Sequence, residues 1–355
     1  MPDDRTFLTE LATALGMLGS PDPDSAVELR SPELRIAVGD WDRLERLIAA
    51  KAWQPEVQVA FENGSAFLEA ADALRGRRPS LIEWTAGRRP PGDEVAPIDL
   101  RVDHVFLVSC KYLSANIANP SPARLFDGLL ATTGNWVRRD WYLETAPTEL
   151  RRLYEACKEA SQLGDLPDDP ADLGSADRRR LRLALPERVL PDAARSAYED
   201  LCRAVSLASV ERWCEAIARF GHPEQVLWRL LRIGNAPYFL LGVDSRRPLR
   251  LRVASPWDWR QHFRFSNLEI SAARAGQPQV NWTASYETRR TGRSSSIRGH
   301  VEVRWSHGRF AHPPEAKIYV DTPTDELPGY FPLCPGDPED IEHDGHIQQR
   351  LFELP

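Results

Sequence analysis

The chain has 355 residues, 42% of them hydrophobic, with 11 tryptophans and a net charge of −7. That composition excludes a disordered chain and supports a sizeable core spread over about two domains. No apolar run reaches the roughly 20 residues of a membrane helix. The acidic start MPDDRTFLTELATALG lacks the basic-then-apolar order of a secretory signal. The five cysteines (110, 157, 202, 214 and 334) contain no Cys-x-x-Cys pair and read as reduced thiols of a cytoplasmic protein.

In chain order, SAFLEAADALRG (65–76) has helical spacing and ends at Gly76. SLIEWTAG reads as a strand that breaks at Gly87. IDLRV and VFLVSCKYL read as antiparallel strands joined around Asp103–His104. SPARLFDGLLATTG offers Ser121 as N-cap, Pro122 at the first helical position and Gly134 beyond the end. APTELRRLYEACKEASQLG predicts a second amphipathic helix, and LPDDPADLGSADRRR a Pro/Asp/Gly linker or surface excursion. AARSAYEDLCRAV, ASVERWCEAIARFG and PEQVLWRLLRIG predict three more helices. From Pro237 the period changes to two, in YFLLGV, LRLRVAS, QVNWTASYET, IRGHVEVRW and AKIYVD.

Lysine usage singles out one strand end. Only Lys51, Lys111, Lys158 and Lys317 stand among 45 basic residues, so arginine serves wherever a plain positive charge suffices. A retained lysine marks a place that needs an ammonium rather than a guanidinium. Lys111 and Ser109 share one strand face, and Cys110 takes the other, which makes it a core thiol. A two-residue turn at Asp103–His104 sets Asp99 diagonal to Ser109; a three-residue turn or a bulge sets it directly opposite. A carboxylate with a backbone carbonyl can hold a hard divalent cation, Mg²⁺ with Mn²⁺ as substitute. A nearby lysine orients water and offsets charge on a phosphate.

PID (97–99), a hairpin and then SCK (109–111) resemble the core motif of the PD-(D/E)XK, or restriction-endonuclease-like, nuclease superfamily. The resemblance covers roughly residues 60–135. It implies that Asp99 is the metal-binding aspartate, Lys111 the catalytic lysine and the Cys110 carbonyl a backbone ligand. Ser109 departs from the pattern, because it stands where the family has its second acid. Glu83 is the first candidate to supply that carboxylate and Glu62 the second.

A rival site uses the Glu-x-Lys of Glu315 and Lys317, with Glu302 on the preceding strand. The Arg246–Phe310 segment carries thirteen arginines against four acids, the charge pattern of a nucleic-acid-binding face. Arg246, Arg247, Arg289, Arg290, Arg293 and Arg304 are its candidate DNA contacts, and Trp257, Trp259, Trp282 and Trp305 its candidate stacking groups. The expected fold is α/β: a restriction-endonuclease-like mixed sheet flanked by helices (1–145), a helical region (146–235), a basic β-rich region (236–335) and an acidic tail (336–355). The expected function is a cytoplasmic, Mg²⁺-dependent DNA endonuclease of restriction or defence type. A homodimer follows by analogy, and a cognate methyltransferase or defence-system partner is its natural companion. The alternative is a non-catalytic DNA-binding or assembly subunit with a decayed nuclease core.

Overall fold

The computed structural model describes residues 3–87, 97–112, 117–131, 140–185, 190, 192–244, 247–273 and 276–334. Asp3 starts α1 (Asp4–Gly16) by accepting the Thr6 N–H at 2.8 Å, and Asp22 caps α2 (Pro23–Leu29) through Ser25 in the same way. Then come β1 (Leu34–Arg35), α3 (Val38–Ala49), α4 (Gln54–Glu69), β2 (Ile82–Trp84), β3 (Leu100–Val102) and β4 (Phe106–Tyr112). Six helices follow: α5 (Pro122–Phe126), α6 (Trp141–Thr145), α7 (Pro147–Ala160), α8 (Ser175–Ala184), α9 (Asp192–Phe220) and α10 (Pro223–Leu230). The rest is β5 (Tyr238–Asp244), β6 (Arg247–Val253), α11 (Pro256–His262), β7 (Phe263–Ala272), β8 (Gln279–Thr288), β9 (Arg293–Arg304), β10 (Glu315–Val320) and β11 (Tyr330–Pro332).

The chain forms two compact units that alternate along the sequence. The first takes Met1–Ser114, Ile233–Trp259 and Thr324–Pro355; the second takes Ala115–Arg232 and Arg260–Pro323. The first unit is a seven-stranded mixed sheet in the order β1-β2-β3-β4-β5-β6-β11. Strands β2, β3 and β4 run as an antiparallel meander, and β5 returns parallel to β4. A parallel pair cannot be closed by a tight turn. Here the chain leaves after β4 and supplies the first part of the second unit before β5 begins.

Helices α1 and α4 cover one face of this sheet. Phe67 of α4, Phe106 of β4 and Phe239 of β5 meet edge to face with centroids 4.9–5.9 Å apart. The two helices touch backbone to backbone. A Cβ added at Gly64 would fall 2.0 Å from the Thr13 carbonyl oxygen, and one at Gly16 would fall 2.0 Å from that of Phe61. Both glycines are therefore there for lack of a side chain.

In the second unit the antiparallel sheet β10-β9-β8-β7 turns the buried residues Val280, Trp282 and Ala284 of β8 to one side. Trp141, Trp213 and Phe126 form an aromatic cluster among α5, α6 and α9. The Trp141 indole donates to Ser209 at 2.9 Å.

Several elements differ from their sequence-based expectations. The helix expected at 65–76 begins at Gln54 and ends at Glu69, and Gly76 (φ 72°) closes a later turn. α5 stops at Phe126 because Leu129 and Leu130 adopt left-handed φ; Gly134 lies outside the described residues. The two helices expected between 193 and 221 are one 29-residue helix, α9. Strand β7 went unforeseen. Boundaries at 145 and 235 do not coincide with the two units, because β5 and β6 add to the sheet of the amino-terminal segment. The acidic tail lies outside the described residues.

Gly64→Ala should lower unfolding free energy by about 1–3 kcal/mol, since the methyl group meets a backbone oxygen that no rotamer change can move. Urea denaturation followed by tryptophan fluorescence measures this, with exposed Gly39→Ala as the neutral control.

Candidate active site

Helix α1 is buried from Phe7 to Gly16, so its polar residues Thr9, Glu10 and Thr13 lie in the interior. Thr9 and Thr13 satisfy their hydroxyls on the carbonyls of Arg5 and Thr9 one turn back. Glu10, 6% exposed, accepts the Trp84 indole N–H at 2.6 Å. Burial, and then the charge of Asp99, push the Glu10 carboxyl up to about 8.

The hairpin brings Asp99 to this place. Val102 pairs with Phe106, so the turn has three residues, Asp103, His104 and Val105. The first two take left-handed φ of 50° and 61°. Asp103 fastens the turn by accepting the N–H groups of Ser80 and Leu81 at 2.7 and 3.0 Å. Leu100 is the register partner of Val108, yet the Asp99 N–H also donates to the Val108 carbonyl at 2.9 Å. Two residues thus oppose one, which is a β-bulge, a device that re-aims a side chain. The Asp99 carboxylate accepts the Cys110 N–H at 2.7 Å. It meets the peptide between Ser109 and Cys110, in the middle of the SCK motif.

Register assigns the remaining residues of β4. Its pairing with β5 is unbroken from Val108 to Tyr112, so alternation holds. Val108, Cys110 and Tyr112 pack toward the α1–α4 core. Ser109 and Lys111 therefore point to the opposite face, and Ser109 is 2% exposed. Burial, then the charges of Asp99 and Glu10, raise the Cys110 thiol well above its ordinary range, so it is a core thiol and no nucleophile.

Beside the acids lies a polar chain. Tyr112 Oη is 2.8 Å from Thr13 Oγ1 and accepts from Asn63 Nδ2 at 3.3 Å. Asn63 also donates to the Gly242 carbonyl at 2.8 Å and accepts from Arg250 Nε at 2.9 Å. It is fully buried, so these bonds fix its orientation.

The two expected sources of the second acid stand apart from the α1 face that carries Glu10. Glu62 is on the exposed side of α4, bonded to Gln58. Glu83 shares the Ser109–Lys111 face, because its neighbours Ile82 and Trp84 turn to the core. Its register partner is Arg101, and the Thr85 N–H two residues on donates to the Asp99 carbonyl at 2.9 Å, so Glu83 lies near Asp99 along the strand pair but about 13 Å of strand short of Lys111. His104 Nδ1 lies 3.6 Å from it. The carboxylate beside Asp99 is Glu10. The motif gives no sign of it, but FLTELATALG does carry one trace, a glutamate inside an apolar helix.

The rival set resolves into cross-strand pairs, Glu302 with Lys317 and Arg304 with Glu315. Glu302 is held by Arg304 at 3.1 Å and by Gln277, and Glu315 accepts from Ser306 at 2.6 Å. Of the arginines, Arg290 and Arg293 are exposed in and beside the β8–β9 turn, and Arg247 is exposed at the start of β6. Arg289 instead clips the Arg260 and Phe263 carbonyls through Nε. Arg246 lies outside the described residues. Trp259 and Trp282 are core residues, Trp305 is half-buried and Trp257 is 62% exposed.

Among the described residues no group of three or more His, Cys, Asp or Glu side chains is arranged to hold a metal ion, and no helix is long and apolar enough to cross a membrane. Comparison with protein-family models, curated proteins and solved structures finds no match for this chain.

The Glu10 pair gives stability a pH dependence of definite sign. Its folded-state value of about 8 exceeds the ordinary 4.5, so the folded chain holds the proton more tightly. Stability should fall as pH rises from about 4.5 to about 8 and level off above that. Glu10→Gln should remove the slope and raise the thermal midpoint at pH 9 in chelator, as read by scanning calorimetry.

Proposed function

We propose that this chain is a metal-dependent endodeoxyribonuclease of restriction or defence type, akin to the PD-(D/E)XK nucleases. Its site would be Asp99, Glu10, the Cys110 backbone carbonyl and Lys111. The observation that carries the reading is the 2.7 Å bond from the Cys110 N–H to the Asp99 carboxylate. It joins the aspartate of PID to the centre of SCK. Helix α4, the β2-β3-β4 meander and the parallel return strand β5 supply the helix-flanked mixed sheet that the resemblance implies.

The donor set suits a hard cation. In a strand the N–H and C=O of one residue point to the same side, so the Cys110 carbonyl is directed toward the gap where Asp99 lies. Two carboxylates and a carbonyl are the oxygen ligands Mg²⁺ and Mn²⁺ take. Burial, and then the charge of half-buried Asp99, hold a proton on Glu10, and a bound cation would neutralise that charge. When bound, the ion would polarise the phosphate and lower the pKa of a coordinated water. Asp99 and Glu10 would position that ion, with Glu10 in place of the acid that Ser109 lacks. Lys111 leaves the strand one residue beyond the Asp99-bound peptide, on the Ser109 face and so opposite the α1 face that carries Glu10; its ammonium would have to reach around the end of β3 to hold a phosphate oxygen and offset developing charge. Arg290, Arg293 and Arg247 are the exposed candidates for backbone contacts. Cutting both strands would call for two copies of the site.

Two observations favour a second reading, a DNA-binding or assembly subunit without catalysis. Ser109, 2% exposed, stands where the family has an acid, and Lys111 turns to the face opposite Glu10.

Plasmid nicking in Mg²⁺ or Mn²⁺ decides between them. The nuclease reading expects cleavage by wild type and a loss of about 10²-fold or more in Asp99→Ala, Lys111→Ala and Glu10→Gln. Lys317→Ala should cut like wild type. Binding that weakens steeply with salt, with no cleavage, supports the second reading. Cleavage that survives Asp99→Ala sinks the first.

A further inference from the structure

The second unit holds a cavity of about 480 Å³ lined by Arg182 of α8, Tyr198 of α9, Arg304 of β9, and Trp305, His307 and Arg309 beyond it. That volume falls within the range of small-molecule sites. We infer that this cavity binds a phosphomonoester carried on a nucleotide or on the end of a nucleic-acid strand. Three arginines and a histidine line it, and no carboxylate is among its described lining residues.

The arginines are placed rather than scattered. Gly308 has φ +98°, and a Cβ there would come within 3.1 Å of the Arg182 Cγ and Nε. The glycine thus lets the Arg182 stem lie across the turn. Arg182 makes no ion pair among the described residues. Arg304 lies 3.1 Å from Glu302, an acid also engaged by Gln277. Burial and the Cys202 thiol raise the Tyr198 hydroxyl, while the charges of Arg309 and Arg304 oppose that rise. Both guanidiniums therefore stand near this hydroxyl.

The walls ask for more than inorganic phosphate. The Trp305 ring is held edge-on by Tyr142 at 4.8 Å and packs on Phe310 at 4.9 Å. Arginines grip phosphate oxygens in pairs of parallel bonds, and the ring beside them suits a base or sugar. All these residues belong to the second unit, so the inference does not rest on Asp99.

Calorimetric titration of the full chain with AMP and with adenosine tests it. AMP should bind at least about tenfold more tightly than adenosine. Arg182→Gln and Arg309→Gln should each weaken AMP about tenfold; exposed Arg182→Gln should do so with an unchanged thermal midpoint. Asp99→Ala should bind AMP like wild type, which separates this site from the nuclease reading. Displacement of AMP by a 5′-phosphorylated oligonucleotide but not by its 5′-hydroxyl twin assigns the phosphate to a strand end. No displacement by either assigns it to a free nucleotide. Equal affinity for AMP and adenosine, no AMP binding, or undiminished binding by both arginine variants overturns the inference.

Discussion

At the junction of β3 and β4 a carboxylate takes an N–H that a strand carbonyl would ordinarily receive. That bond, Asp99 to Cys110, depends on the bulge at Asp99–Leu100, and the bulge depends on a three-residue turn clamped by Asp103. Once Asp99 is held there, a like charge on Glu10 has little solvent to share. The interior tolerates the pair through the Trp84 indole and the Cys110 amide, and through a proton kept on Glu10 to unusually high pH. The helix that carries Glu10 can lie so close only because Gly16 and Gly64 let two backbones touch.

Polar groups in this interior are joined rather than isolated. From Thr13 through Tyr112 and Asn63 to Arg250, each side chain uses the next as donor or acceptor. Such a chain fixes rotamers that apolar packing would leave free. It ties α1, α4, β4 and β6 together at the end of the sheet nearest the acids, which is the rigidity a reactive constellation needs.

Local chemistry was legible in the sequence wherever one residue decides it. The hairpin, the Ser121–Pro122 helix start and the alternating strands β6, β8, β9 and β10 all followed from turn residues, caps and alternation, whereas β5 is buried continuously from Tyr238 to Gly242. What escaped depends on distant contacts. α9 runs unbroken because nothing in its sequence stops it; an apparent boundary near Ser206 is only a hydroxyl bonded one turn back to Cys202. Glu10 lies 89 residues before Asp99 in the numbering, and no spacing rule connects them. The bulge was foreseen only as one option beside a plain three-residue turn, and both occur. The arginine-rich stretch was legible as charge, but not as geometry. Some of its arginines pair with acids, as Arg264 does with Glu287, and Arg304 lines a cavity.

The parallel pairing of β4 with β5 has a temporal side. Tyr112 ends one strand and Tyr238 begins its neighbour, so the whole of α5 to α10 is made between them. At a synthesis rate of about 5–20 residues per second, the nascent sheet waits roughly 6–25 s with the β4 edge unpaired. An open strand edge invites pairing with other chains. Here that edge carries Lys111 and ends in Tyr112, and a charged residue on a waiting edge discourages the wrong partner. One ammonium on β4 can thus guard the growing polypeptide before it has any other task.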